Sequence, residues 1–209
     1  MFCCAARILV SAMASSWAAP ERGSIPVAWA IDPLLAERFP ALFDHFAATA
    51  TANDSFIAGT AGAGYALLNQ MTSGQLQVYG ERVGRLTAEY GPHVIDTYGY
   101  ADLAQHVAYA RAMKHGGAAP AAFVTQPNWS TGAKLDGYSP FNCTIDNQKL
   151  SDGTPLICGS GKPKLFYYSG SLDPLCPSCD LAQRIEETAR KQPPPFFVYR
   201  CHLSATPLH

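Results

Sequence analysis

The chain has 209 residues, 48% of them hydrophobic and only 15% charged, with 17 Gly and 16 Pro. That is the balance of one packed, loop-rich globular domain and not of a disordered tail. Its net charge is −1, without the basic excess of a nucleic-acid binder, and no apolar run reaches the roughly 18–20 residues of a membrane span, so neither a nucleic-acid partner nor a transmembrane helix is expected.

In chain order, residues 1–16 read as a leader or as an incomplete first strand. A signal peptide wants a positive residue before an unbroken apolar stretch, and Arg7 ahead of Ile8-Leu9-Val10 fits that poorly. Residues 17–209 read as a single α/β domain. A strand is expected over 25–31. Pro33 then suits the first turn of a helix, where its missing N–H costs nothing, with an apolar stripe of Leu34, Leu35, Phe39, Leu42, Phe43 and Phe46 that Pro40 kinks or divides. Residues 55–58 form the next strand and run into a glycine-rich turn. Leu76, Val78, Tyr79, Val83 and Leu86 mark a helix that Gly91-Pro92 stops. A strand over 93–98, a helix over 102–113 with Leu103, Val107 and Ala110 on one face, and a strand over 121–125 follow.

From 126 to 163 the helical period disappears. Thr144-Ile145 and Pro155-Leu156-Ile157 look like a hairpin around Ser151-Asp152-Gly153. Beyond it, 165–168 is apolar and aromatic, 181–191 reads as a helix and 196–201 as a last strand. Strand and helix alternating at this spacing argue a mostly parallel sheet with covering helices, either doubly wound or a partial, irregular (β/α) barrel, interrupted by the long irregular insertion near 126–163. In both architectures functional groups gather at the C-terminal ends of the strands.

Seven cysteines are present, and only Cys176 and Cys179 are close in sequence. Cys158, Cys201 and His202 lack the spacing of zinc ligands, so a loop disulfide or two quiet thiols is the favoured reading of that pair, and no metal or other cofactor is expected. Cys143 and Cys158 flank the hairpin and are placed to pair across it. Three Asn-x-Ser/Thr sequons, at Asn53, Asn128 and Asn142, point towards the secretory pathway, with a cytoplasmic location left open.

The densest feature is Asp54-Ser55-Phe56-Ile57-Ala58-Gly59-Thr60-Ala61-Gly62-Ala63-Gly64-Tyr65, a strand entering a loop of three glycines. Three readings stand: a tight strand-to-helix corner, a nucleotide or phosphate loop, or a ligand loop in which Tyr65 offers an aromatic face. A phosphate loop wants Gly-x-Gly-x-x-Gly or a following Lys-Ser/Thr, and neither is present. Gly62-Ala63-Gly64-Tyr65, with this lead-in, resembles the signature of the GxGYxYP putative glycoside hydrolase family, specifically its C-terminal domain, truncated at the N-terminus. The segments from Pro20 to Trp29, Asp32-Pro33-Leu34-Leu35, the approach to Asn53, and Pro195-Phe196-Phe197-Val198 are similar too, so the resemblance spans roughly residues 17–200.

The resemblance implies a carbohydrate-processing α/β domain with a carbohydrate substrate or ligand. Two departures bear on activity. Leu67-Leu68 stands where the signature ends in Tyr-Pro, and Ser11-Ala12-Met13-Ala14-Ser15-Ser16 stands where the family carries an acidic Asp-Gly-Asp-Asn stretch. A non-catalytic glycan-binding remnant is therefore the alternative to an enzyme. Most glycoside hydrolases use two carboxylates. Asp96, late in an apolar strand, and Asp136, in the loop after 121–125, are the expected pair. Asp32 is read first as a helix N-cap, Asp102 likewise, and Asp173 as a turn former. Sugar contacts are expected from Gly62, Gly64, Tyr65, Tyr98, Asn128, Trp129 and Tyr138.

Overall fold

A computed structural model of the chain describes residues 17–20, 22–24, 26–59, 61–98, 101–126 and 148–158. The chain divides into two units, Gly23–Cys158 and a second made of Met1–Arg22 with Gly159–His209. In the second, the Arg22 guanidinium lies 4.3 Å from the centre of the Trp17 ring. The expected elements at 165–168, 181–191 and 196–201 lie outside the described residues, as do the strand reading at 7–12 and the Cys176-to-Cys179 pair.

The first unit contains one six-stranded sheet. Its elements are β1 (Val27–Ile31), α1 (Leu34–Arg38), α2 (Pro40–Thr49), β2 (Asp54–Ala58), a 3-10 turn (Leu68–Gln70), α3 (Ser73–Tyr90), β3 (Val94–Tyr98), α4 (Leu103–Gly116), β4 (Ala122–Gln126), β5 (Gln148–Lys149) and β6 (Pro155–Cys158). The sheet order is β1-β2-β3-β4-β6-β5; the first five are parallel to one another and β5 runs antiparallel at the edge. Neighbours in the parallel part follow chain order without reversal. Right-handed crossovers in such an order put the helices on one face of the sheet, as in a (β/α) barrel; a doubly wound sheet reverses direction at a switch point. The alternation legible in the sequence left those two open, and the strand order decides for the barrel-like one.

Local chemistry accounts for the boundaries. Phe39, at φ −142° and ψ 61°, separates α1 from α2, and Pro40 opens α2 at its first position, so the apolar stripe is divided there. Phe46 is buried, whereas Phe39 at the break is 58% exposed. Thr72 and Gln75 form a reciprocal capping box at the start of α3, and Asp102 and Gln105 form another at the start of α4. Gly91, at φ 64°, closes α3.

Two sequence expectations change. Residues 155–158 do form the second arm of a hairpin, but its first arm is Gln148–Lys149, and Thr144-Ile145 lies outside the described residues. Moreover β6 pairs parallel with β4, so a segment read as part of an irregular insertion supplies the fifth parallel strand. A strand this short carries no period from which the sheet partner could be read.

The core lies between β2–β4 with β6 and the helices. Ala58, Ile95, Phe123 and Leu156 share one cross-strand row and pack with Val83 and Leu76 of α3 and Tyr109, Ala110 and Met113 of α4. Val78, expected in the apolar stripe of α3, is 67% exposed. On α4 the buried face is His106, Tyr109, Ala110, Ala112 and Met113; Leu103 and Val107 sit on its flank, lining a shallow groove of about 400 Å³ with Lys149 and Leu150. The helices α3 and α4 meet through small residues: a Cβ on Gly84 would stand 2.0 Å from the Met113 carbonyl oxygen, and one on Gly116 2.1 Å from that of Glu81.

Candidate functional site at the strand ends

The C-terminal ends of β1, β2 and β3 are joined by the loop after β2. Gly59 N–H donates to Ile31 O at 3.0 Å, Ala61 N–H to Asp96 O at 2.6 Å, and Gly62 N–H to Gly59 O at 3.1 Å. Ala63 N–H donates to the Tyr79 hydroxyl at 3.2 Å. The Gly64 N–H faces the Asp32 carboxylate and lowers its pKa. Ala61, Gly62 and Gly64 all take positive φ, at 67°, 98° and 90°. At Gly62 glycine is required twice over, since a Cβ would also stand 2.6 Å from Val83.

The loop rests on two tyrosines. The Tyr109 hydroxyl donates to Ala61 O. The single proton of the Tyr79 hydroxyl faces the carbonyls of Ala61 at 3.1 Å and Gly64 at 3.3 Å. The rings of Tyr79 and Tyr109 stack, and Tyr109 stacks in turn on Phe123. Burial pushes the Tyr79 phenol well above its usual range, and the charge of Asp32 adds to that, while the Ala63 N–H opposes it. These hydroxyls are therefore donors at any ordinary pH.

A phosphate loop turns its N–H groups towards the ligand and leads straight into a helix N-terminus. Here the N–H groups of Gly59, Ala61, Gly62 and Ala63 are spent within the protein. Helix α3 begins only at Ser73, with its own capping box. Gly62 and Gly64 form a tight corner after β2. Tyr65, next in the chain, is 56% exposed at the surface of that corner.

Asp96 is 1% exposed. Ile95 packs into the core beside α3 and α4, and Thr97 Oγ1 lies 3.0 Å from His106 Nε2 on α4. Strand alternation therefore turns Asp96 to the opposite face, away from the helices, where the interior of a (β/α) barrel lies. His106 Nδ1 lies 2.8 Å from Asp102 O, which can only accept, so Nδ1 carries the proton and Nε2 accepts from Thr97. Burial holds the His106 pKa down, opposed by the Asp102 carbonyl and charge. It is a structural histidine on the helix side.

Asp32 directly follows β1. The N-cap position expected of Asp32 is taken by Pro33; Asp32 stands one residue earlier, where its Oδ1 accepts from Leu34 N–H at 2.9 Å and its carboxylate also faces Gly64. Burial pushes its carboxyl up, while the N–H groups of Leu34 and Gly64 pull it down.

Of the expected site residues, Asp96, Gly62, Gly64 and Tyr65 thus meet at one end of the sheet. Tyr98 ends β3, and its side chain is not among those described. Asp136, Asn128, Trp129 and Tyr138 lie outside the described residues. Asn53, the one described sequon asparagine, is exposed, and its Nδ2 donates to Gly23 O at 2.7 Å. Sequence reasoning missed the roles of Tyr79, which looked like an ordinary member of a helix stripe, and of Tyr109, which it did not single out. It also missed the approach of Asp32 to Gly64, since nothing local marks a contact 32 residues away. Among the described residues no group of three or more His, Cys, Asp or Glu is arranged to hold a metal ion, and no helix is long and apolar enough to cross a membrane.

Residues 5–157 match the profile of the GxGYxYP putative glycoside hydrolase C-terminal domain. The chain belongs to that family. The match takes in the glycine corner, Asp32, Asp96 and Asp136 and ends in β6; Pro195-Phe196-Phe197-Val198, similar by eye, falls beyond it. Among solved structures, a putative hydrolase from Bacteroides thetaiotaomicron is similar, with 18% sequence identity and a TM-score of 0.55. The similarity covers 69% of this chain and 26% of that one, so the chain spans about a quarter of that protein's length. At this identity the likeness is one of fold: the parallel α/β architecture is shared. No curated protein matches the chain.

Proposed function

We propose that this GxGYxYP-family domain processes carbohydrate as a glycoside hydrolase. The observation that carries the reading is Asp96: a carboxylate 1% exposed, in the middle of the central strand β3, on the face away from the helices, with its backbone carbonyl accepting from the family's signature loop. A buried acid in an apolar strand is costly to keep, and strand ends are where barrel enzymes hold their chemistry. The second carboxylate nominated by the sequence is Asp136. Tyr65 offers an exposed ring to the C–H face of a sugar, and Tyr98 at the end of β3, together with Asn128, Trp129 and Tyr138 further along the sequence, completes the proposed sugar contacts.

A second reading, a glycan-binding domain without turnover, is favoured by one observation: Leu67-Leu68 replaces the Tyr-Pro of the signature. One experiment separates the two. The full chain is assayed for binding and for reducing-sugar release on a broad glycan panel, beside Asp96→Asn. The enzyme reading expects turnover that Asp96→Asn lowers by roughly 10²-fold or more while thermal unfolding is unchanged. Binding without turnover establishes the second reading. Neither binding nor turnover refutes both.

A further inference from the structure

We infer that Asp32 is the proton donor of this site, the second carboxylate beside Asp96; the inference rests on the glycoside-hydrolase reading above. Three observations carry it. The first is register. Ile31 pairs with Ala58 and Ala58 with Ile95, so Asp32 and Asp96 are each the next residue on, with only β2 between their strands. Two spacings of a parallel sheet put their Cα atoms about 10 Å apart. Side chains on such a base reach the carboxyl separations of about 5–9.5 Å at which glycoside hydrolases operate.

The second is access. Asp32 is only partly buried, whereas Asp96 is 1% exposed, so Asp32 is the one of the two open to solvent. The Leu34 N–H holds Oδ1 in place at 2.9 Å and leaves oxygen lone pairs for a proton. The carboxylate also faces Gly64, the residue before the exposed Tyr65. Burial favours the protonated form, as a general acid requires.

The third is that several other described acids are engaged elsewhere. Asp54 accepts from Trp29 and Thr51 at the N-terminal end of β2, Asp102 caps α4, and Glu37 on α1 pairs with Arg82.

The step is as follows. Asp32 gives its proton to the glycosidic oxygen as the bond from the anomeric carbon to that oxygen breaks. Water adds to the anomeric carbon, and its proton passes to the other carboxylate. One water is consumed, and proton exchange with solvent restores both groups.

A proton donor leaves a signature that a structural residue does not: it matters for poor leaving groups and hardly for good ones. The full chain, Asp32→Asn and Asp136→Asn are therefore compared on methyl glycosides and on dinitrophenyl glycosides of the common hexoses and N-acetylhexosamines, with thermal unfolding of each. Asn keeps an oxygen for the Leu34 N–H; should it not fold, Asp32→Ser keeps one too. The expected result is a loss of roughly 10²–10⁴-fold on methyl glycosides, within roughly tenfold of wild type on dinitrophenyl glycosides, and loss of the alkaline limb of the pH profile. Equal losses on both substrates, or no loss, overturn the inference. The same signature at Asp136→Asn instead overturns it and leaves the hydrolase reading standing. No turnover of any glycoside by the wild-type chain overturns both.

Discussion

A Cβ added at Gly84 would lie 2.0 Å from the Met113 carbonyl oxygen and 2.8 Å from its carbonyl carbon, against 3.4 Å or more for ordinary contact. The obstacle is backbone in the middle of α4, so no rotamer change relieves it. The two helices must separate by on the order of 1 Å, and a close-packed seam transmits that displacement. Gly80, whose Cβ would meet that of Ala112 at 2.5 Å, and Gly116 show that the close approach runs along the whole seam. Gly84→Ala gains about 1 kcal/mol of helix propensity. Overpacking costs about 3 kcal/mol here, the upper end of its usual range, because the clash is with fixed atoms. The net expectation is a loss of about 2 kcal/mol, or roughly 4–8 °C in Tm for a chain of this size. Gly74, on the same helix, has nothing within 4 Å of its Cβ position. Gly74→Ala is thus the matched control and gains up to about 1 kcal/mol. Thermal and urea unfolding of the full chain measure both. Equal or greater stability of Gly84→Ala than wild type would falsify the packing argument.

Two further outcomes are expected. Tyr79→Phe removes the hydroxyl that takes the Ala63 N–H and faces two loop carbonyls; it lowers stability by about 1–3 kcal/mol and speeds hydrogen exchange at residues 61–64, whereas unchanged exchange there means the loop is held without it. For His106 the sign follows from its lowered pKa in the folded state: between that value and the unfolded value near 6.5 the unfolded chain binds the extra proton, so its contribution to stability is present above about pH 6.5 and is lost as pH falls through that window. Tm measured from pH 8 down to pH 5 is expected to fall less steeply in His106→Gln than in wild type, and parallel curves contradict the assignment. Asp32, with its pKa raised, works in the opposite direction: its contribution is present below the unfolded value and is lost as pH rises through the folded one.

The site was legible in the sequence in proportion to how local its signals are. Asp96 stood out because an acid in the apolar run Val94-Ile95-Asp96 has no local purpose, and the glycine run announced itself. Asp32 had a sufficient local explanation in the helix it precedes, and that explanation concealed its approach to Gly64. Tyr79 and Tyr109 carried no mark at all: an aromatic in a helix stripe looks the same whether its hydroxyl is idle or clamps a loop. The glycines were ambiguous between binding and turning until the partners of their N–H groups were known.

What the sequence determined by itself was the alternation of strands and helices, the break at Pro40, the stop at Gly91 and the cap at Asp102. Each follows from a residue acting on its own backbone or on neighbours within one turn. Only the tertiary structure decided which strands are neighbours, that β6 joins the sheet beside β4, that Val78 faces out, and that Gly80, Gly84 and Gly116 exist to let two helices touch. Those depend on contacts between residues far apart in the chain, where side-chain volume and the pairing of backbone donors are fixed by what the rest of the fold brings into reach.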